Sequence, residues 1–209
     1  MPTHIQKLIG QGEHQQLDFK FEISDARKIA RSMVAFANTD GGKLLIGVKD
    51  NGVIAGVRSD EEIYMVDAAA TIYCKPEIIL SVKNWNESGK TVLEVNIPKS
   101  LSPPHYAQND EGKWTIYIRV KDQNLIAHSI WLKILKRKQN SEGTKIRYRE
   151  SEKILLDYLS IHESITIGKF CRIAIIPESK AETILVNLIA LKIIDCEITE
   201  KEILYWLKH

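Results

Sequence analysis

The chain has 209 residues, 44% hydrophobic and 27% charged, with a net charge of +2, a composition that fits a globular protein and excludes a disordered or low-complexity one. No apolar run approaches the roughly 20 residues a membrane helix needs, and the opening MPTHIQKLIG lacks the basic-then-apolar order of a secretory signal. Cys74, Cys171 and Cys196 are scattered and without C-x-x-C spacing, which argues against a disulfide framework or structural zinc and makes a reducing cytoplasm the expected setting.

In chain order, LDFKF at 17–21 alternates, with Leu17, Phe19 and Phe21 facing one way and Asp18 and Lys20 the other, the pattern of a half-buried strand. Ser24 is the expected cap of a helix in which Ile29, Met33 and Phe36 recur at helical spacing and Ala30, Val34 and Ala37 widen the stripe. That helix is expected to stop near Asn38, where TDGG turns into the strand KLLIGV. KDNG then predicts a type I′ hairpin returning through VIAGV, because Asn-Gly accepts positive φ angles. A second helix covers about residues 61–73, and IILSV, TVLEVNI and WTIYIRV read as three more strands, the first two joined by NESGK. Trp85, Trp114, Trp131 and Trp206 sit in apolar patterns and read as core residues.

Charge divides the chain into three. Residues 1–132 hold 15 basic against 16 acidic side chains, 133–149 hold 7 against 1, and 150–209 hold 7 against 10. The whole positive excess therefore lies in KILKRKQNSEGTKIRYR, read as a basic linker that either draws phosphate backbones or is simply solvated. Beyond it, Ile154, Leu155, Tyr158 and Leu159 mark one helix face, SITIGKFCRIA a short second helix, and Pro177 the start of a third carrying Ile184, Leu185, Leu188 and Leu191. IIDCEI and EILYWL flank TEK as a β-hairpin. Three helices and a hairpin follow the order of a winged helix-turn-helix. Its third helix offers only Lys180, Asn187 and Lys192 for base edges, diluted by Glu178 and Glu182, so a weak or partner-directed module is favoured over a sequence reader.

LDFK, AFANTDGGKLLIGVKDNGVIAGV and YIRVKDQNLIA together resemble the Schlafen-type AlbA-like domain, over roughly residues 10–130. The resemblance implies an α/β (α+β) fold: an AlbA-like mixed sheet with helices over residues 1–132, the basic linker 133–149 and a small winged helix over 150–209. It departs from the family at Lys121, where many relatives have glycine after the arginine-valine pair. In nuclease-active Schlafen members three carboxylates form a metal-dependent RNA-cleaving site. The resemblance carries these onto Glu13, Asp18 and Asp50, with aspartate at 18 in place of a longer glutamate. Oxygen ligands of this kind suit Mg²⁺ or Mn²⁺, which activate water and neutralise phosphodiester charge, and Lys20 is placed to hold a phosphate. Glu13 and Asp18 are an odd number apart and converge only if the chain bends around His14-Gln15-Gln16. Against this, Asp50 opens an Asp-Asn-Gly turn, where aspartate is common for conformational reasons, and Asn38, Gly41 and Gly42 read as structural.

Other chemistries lack their signatures: the sequence has no phosphate-binding G-x-x-x-x-G-K-[ST] loop, no zinc spacing among its six histidines and no G-x-S-x-G elbow. The first expectation is thus a cytoplasmic nucleic-acid-binding protein and transcriptional regulator, a homodimer, binding DNA or RNA through backbone contacts from Lys20, Arg119, Lys121, Lys136, Arg137 and Lys138. The second is a metal-dependent endoribonuclease with Glu13, Asp18 and Asp50 as ligands and Lys20 as catalytic partner. A protein-interaction adaptor is the third.

Overall fold

Asp25, in extended backbone, accepts a hydrogen bond from the Arg27 amide and starts the helix that organises the N-terminal half. The cap is thus one residue later than Ser24. The computed structural model describes residues 1–59, 61–139, 149–199 and 201–208, with the side chains of 138 and 139 set aside. Two compact units emerge, Met1–Ala127 and His128–His209. Among the described residues no helix is long and apolar enough to cross a membrane.

In the first unit, α1 (His4–Ile9) precedes β1 (Leu17–Lys20), α2 (Ala26–Asn38), β2 (Gly42–Ile46) and α3 (Glu61–Thr71). There follow β3 (Cys74–Lys75), β4 (Ser81–Glu87), β5 (Lys90–Ile97), β6 (Tyr106–Gln108), β7 (Trp114–Thr115), β8 (Tyr117–Val120) and β9 (Gln123–Ile126). The main sheet has the order β1-β2-β5-β4. β1 runs parallel to β2 with Asp18 opposite Leu44, and the other neighbours are antiparallel. Both faces are covered. Leu44, Ile46, Leu93 and Val95 pack under α2 and α3, while Ile5 of α1 meets Leu17, Phe19, Leu45 and Val92 on the other side. Full burial of each such side chain contributes roughly 1.5–3 kcal/mol.

This layering corrects the half-buried reading of β1. Leu17, Asp18 and Phe19 are all buried, because Leu17 and Phe19 face α1 while Asp18 faces α2. At the end of α2, Asn38 donates to the carbonyls of His105 and Tyr117 and accepts from the His105 amide, which ties the helix to β6 and β8. Gly41 follows at φ +70°, where a Cβ would lie 2.7 Å from the Lys99 amide nitrogen. The glycine is structural, as expected, and provides both the positive φ and a close backbone approach.

The turn at Asn51-Gly52 differs from expectation, whereas the turn expected at NESGK is present. Gly52 has positive φ, but Asp50 and Asn51 do not. The Gly52 amide donates to Lys49 O and the Lys49 amide to Val53 O, so the loop is a type I turn closed by a left-handed glycine. VIAGV contributes only the bridge Val48–Ile54. The positive-φ pair occurs instead at Ser88-Gly89, which joins β4 to β5 with Glu87 opposite Lys90. Trp114 is 40% exposed, beneath the Lys75 ammonium, and does not belong to the core.

In the second unit, α4 (Ser129–Gln139) is followed by α5 (Glu150–Ile161), β10 (Ile165–Thr166), α6 (Ile167–Ala174), α7 (Glu178–Ala190), β11 (Ile194–Ile198) and β12 (Ile203–Leu207). The strands form a small sheet ordered β10-β12-β11. α7 is buried along Ala181, Ile184, Leu185, Leu188 and Ile189. The start of the segment read as a linker is helical: Ile130 and Ile134 of α4 enter the same core, and Lys133 pairs with Glu182 of α7. The rest of that segment, residues 140–148, lies outside the described residues.

Candidate nucleic-acid interface

After α1 the chain folds back on itself. The amide of His14 donates to Leu17 O at 2.9 Å and that of Leu17 to His14 O at 3.2 Å, so the bend at Gln15-Gln16 is present. It lays Glu13 alongside β1, where one carboxyl oxygen accepts the Phe19 amide at 2.8 Å and the carboxyl shares a hydrogen bond with Asp18. Asp18 Oδ2 receives the Lys20 ammonium at 2.8 Å and the Ser32 hydroxyl at 3.3 Å, and Oδ1 lies 3.4 Å from the Arg119 guanidinium. Lys20 also donates to Phe19 O and keeps 31% of its side chain exposed.

Arg119 is 2% exposed. It donates to Asn124 Oδ1, His14 O and Leu17 O at 3.1–3.3 Å and lies over the Phe36 ring. Asn124 continues the network to the Ser32 hydroxyl at 2.9 Å. The Gln15 amide clamps the other side of the β8–β9 hairpin, donating to Arg119 O and accepting from the Lys121 amide. Lys121 itself is exposed at the hairpin tip with φ +56°, a conformation that favours glycine.

The charges of this cluster shape one another. Burial first, then the hydrogen bond shared with Asp18, pushes the Glu13 carboxyl from 4.5 up to about 7. Burial works in the same direction on Asp18, but the Glu13 hydrogen bond, Lys20 and Arg119 outweigh it and hold Asp18 below the usual carboxylate range. With Glu13 protonated the group Glu13, Asp18, Lys20 and Arg119 carries one net positive charge. With Glu13 ionised it is neutral.

Of the sequence-derived candidates, Glu13, Asp18 and Lys20 meet. Asp50 is exposed on its turn and joins them through no ion pair or hydrogen bond among the described residues. Arg119 meets them from inside, as a structural partner of Asp18. Lys136 is exposed and Arg137 half-buried on α4, while the side chain of Lys138 lies outside the described set. The sequence does not reveal that Ser32 and Asn124 join the cluster, nor that Gln15, expected only as part of the bend, also holds the β8–β9 hairpin. It also passed over Lys49 and Arg58, whose charged groups lie 5.3 Å from the Phe21 ring, just past β1. Arg58 pairs with Glu22 at 3.0 Å.

The profile of the family described as Schlafen, AlbA_2 matches residues 13–128, more than half of the chain. The chain belongs to the Schlafen AlbA_2 family. Among solved structures, the DIP2311 protein from Corynebacterium diphtheriae is similar at 21% identity and a TM-score of 0.47, covering 60% of this chain; the chain spans only 28% of that protein. The N-terminal domain of a RecG-related protein from Nitrosomonas europaea is similar at 20% identity and a TM-score of 0.41, covering 61% of this chain and 96% of its own. The matched AlbA_2 region contains every residue of the Glu13–Asp18–Lys20–Arg119 network.

As a metal centre the AlbA_2 donor set does not fit. Asp18 already faces two cations and a hydroxyl, Glu13 shares a hydrogen bond with it, and among the described residues no three His, Cys, Asp or Glu side chains converge to hold an ion. Mg²⁺ commonly needs only one or two carboxylates beside water and phosphate, so it is the occupation of Asp18 by Lys20 and Arg119, rather than the number of acids, that weighs against an ion here.

Proposed function

We propose that the protein binds nucleic acid through its AlbA_2 domain, contacting phosphates with little discrimination between sequences. The observation that supports this reading is the group of cations past the end of β1. Lys20 is part-exposed and shares Asp18 with the buried Arg119, while Lys49 and Arg58 gather around Phe21, Arg58 being paired with Glu22. Such a surface offers charge to a phosphate chain, and contacts of that kind position a nucleic acid without reading its sequence. Lys121, exposed at the tip of the β8–β9 hairpin, extends the set. In this reading Arg119 orders the surface and does not touch the ligand.

We read the unit after α4 as a winged helix. Lys180 is exposed on α7 and Asn187 is half-buried, while Lys192 lies beyond the helix end. Glu182 is buried against Lys133 of α4. A helix so occupied favours a partner-directed role over sequence reading.

Fluorescence anisotropy with a labelled ~20-base-pair duplex and a structured RNA tests the proposal. Lys20→Ala combined with Lys49→Ala is expected to weaken binding to both about tenfold or more, and Asp50→Ala to leave it unchanged. Equal affinity in the double variant would remove the proposed surface. The endoribonuclease reading is checked by incubating transfer RNA with the protein and Mn²⁺. Intact RNA is expected; cleavage that disappears in Glu13→Gln and Asp50→Ala would establish the enzyme instead.

A further inference from the structure

The small sheet β3-β6-β7 of the first unit presents a face that the phosphate surface leaves without a role. Register sorts its side chains. Cys74 lies opposite Ala107, and both are buried in the core with α2. The alternate residues point the other way, because successive side chains of a strand face opposite sides. Lys75 is opposite Tyr106 and Gln108 is opposite Trp114, so these four share the outer face. Trp114 is 40% exposed and Lys75 is exposed, while Tyr106 and Gln108 are half-buried. The Lys75 ammonium lies 5.1 Å from the centre of the Trp114 ring, and next along the chain Arg27 lies 5.8 Å over the ring of Tyr73. A single exposed aromatic needs no explanation. Two on one sheet face, with a lysine reaching across, form a platform on which planar groups stack.

The surrounding charges select the occupant. Arg27, Lys28 and Arg31 of α2 all act on Asp110, in the turn between β6 and β7. With Lys75 and Lys113 they make five cations. Against them stand Asp25, Asp110 and Glu111, each paired with one of the five, and the exposed Glu77. The Lys75 charge is set against the indole rather than a carboxylate. We propose that this face binds single-stranded nucleic acid, taking unpaired bases on Trp114 and Tyr106 while Lys75 and the cations of α2 hold the phosphates. On the nucleic-acid reading, which this site presupposes, the domain then prefers unpaired strands to duplex. Bases in a duplex are stacked on one another and offer only their edges, so they cannot lie on these rings. Every base has a π-face, and stacking therefore adds affinity without adding sequence preference.

Fluorescence anisotropy on the full chain tests the face with a labelled thymidine strand of ~12 nucleotides, an abasic strand of the same length and a ~20-base-pair duplex. The parent is expected to bind the thymidine strand about tenfold more tightly than the abasic one, which keeps the phosphates and lacks the bases. Trp114→Leu is expected to weaken the thymidine strand about tenfold and to leave the duplex unchanged. Trp114→Phe, which keeps an aromatic face, is expected to retain most of the affinity. The proposal is overturned if the two strands bind the parent alike, or if Trp114→Leu binds the thymidine strand as the parent does. Equal losses for strand and duplex in Trp114→Leu overturn it too. In each of these cases the phosphate surface still stands on the duplex response to Lys20→Ala with Lys49→Ala. Conversely, if that double variant leaves duplex binding intact while Trp114→Leu weakens the strand, the phosphate surface falls and the stacking face stands. If neither strand nor duplex binds the parent, both fall. Should Trp114→Leu fail to fold, the two strands compared on the parent chain decide.

Discussion

Glu13 is the residue on which the electrostatics of the AlbA_2 site turn. Its carboxyl titrates at about 7 in the folded chain against 4.5 without the fold. The folded state therefore binds the proton more tightly, and the stability this contributes is complete below about pH 4.5 and lost as pH rises through 7. Glu13→Gln keeps an acceptor for the Phe19 amide and removes the titration. Urea unfolding at pH 5 and pH 8 is expected to show the parent losing on the order of 1–2 kcal/mol more than the variant over that interval, once solvent screening of a part-exposed group is allowed for. Equal losses would mean that Glu13 is not shifted. Lys121 supplies a second residue-scale prediction, with effects of opposite sign. Its φ of +56° is strained for a side chain, so Lys121→Gly is expected to stabilise the fold by about 0.5–1 kcal/mol. The same change removes one phosphate contact and is expected to reduce the salt slope of binding by about 1. A stabilised variant with unchanged binding would take Lys121 out of the interface.

At the scale of elements, α2 is fixed at both ends by side chains bonded to backbone. Asn38 satisfies three backbone groups, two of His105 just before β6 and one of Tyr117 in β8, and Asn38→Ala leaves them buried and unpaired. A loss of about 3 kcal/mol or more is expected by chemical denaturation; a loss below about 1 kcal/mol would show that the loop around His105 rearranges freely. This element was partly legible in advance. The spacing of Ile29, Met33 and Phe36 reveals the helix and its stripe, but not that Asn38 reaches residues 67 and 79 positions away. The same limit applies to β1. Alternation in LDFK identifies a strand, whereas the burial of Asp18 depends on Arg119, about a hundred residues later, and no local pattern encodes that pairing. Turn chemistry misled at Asn51-Gly52 because bridging Val48 to Ile54 leaves a loop too long for a two-residue turn. Charge masked α4: in SIWLKILKRK the apolar pair Ile130 and Ile134 sits at helical spacing, but the lysines dominate a composition-based reading.

At the scale of the whole molecule, the charge asymmetry visible in the sequence and the cation group found at the end of β1 are separate features. The first is a run of residues, part of which forms α4. The second consists of Lys49 and Arg58 over Phe21, with Lys20 the preceding residue, and no single window of sequence shows it. Of the three acids that the family resemblance nominates, folding joins two and leaves Asp50 on its turn, and this separation is why binding is favoured over cleavage. The most direct measurement of that central claim is the affinity of the full chain for duplex DNA and structured RNA between about 50 and 200 mM salt. About four phosphate contacts predict a loss of affinity near 100-fold across that range, similar for unrelated sequences. An affinity that stays flat with salt would contradict the account.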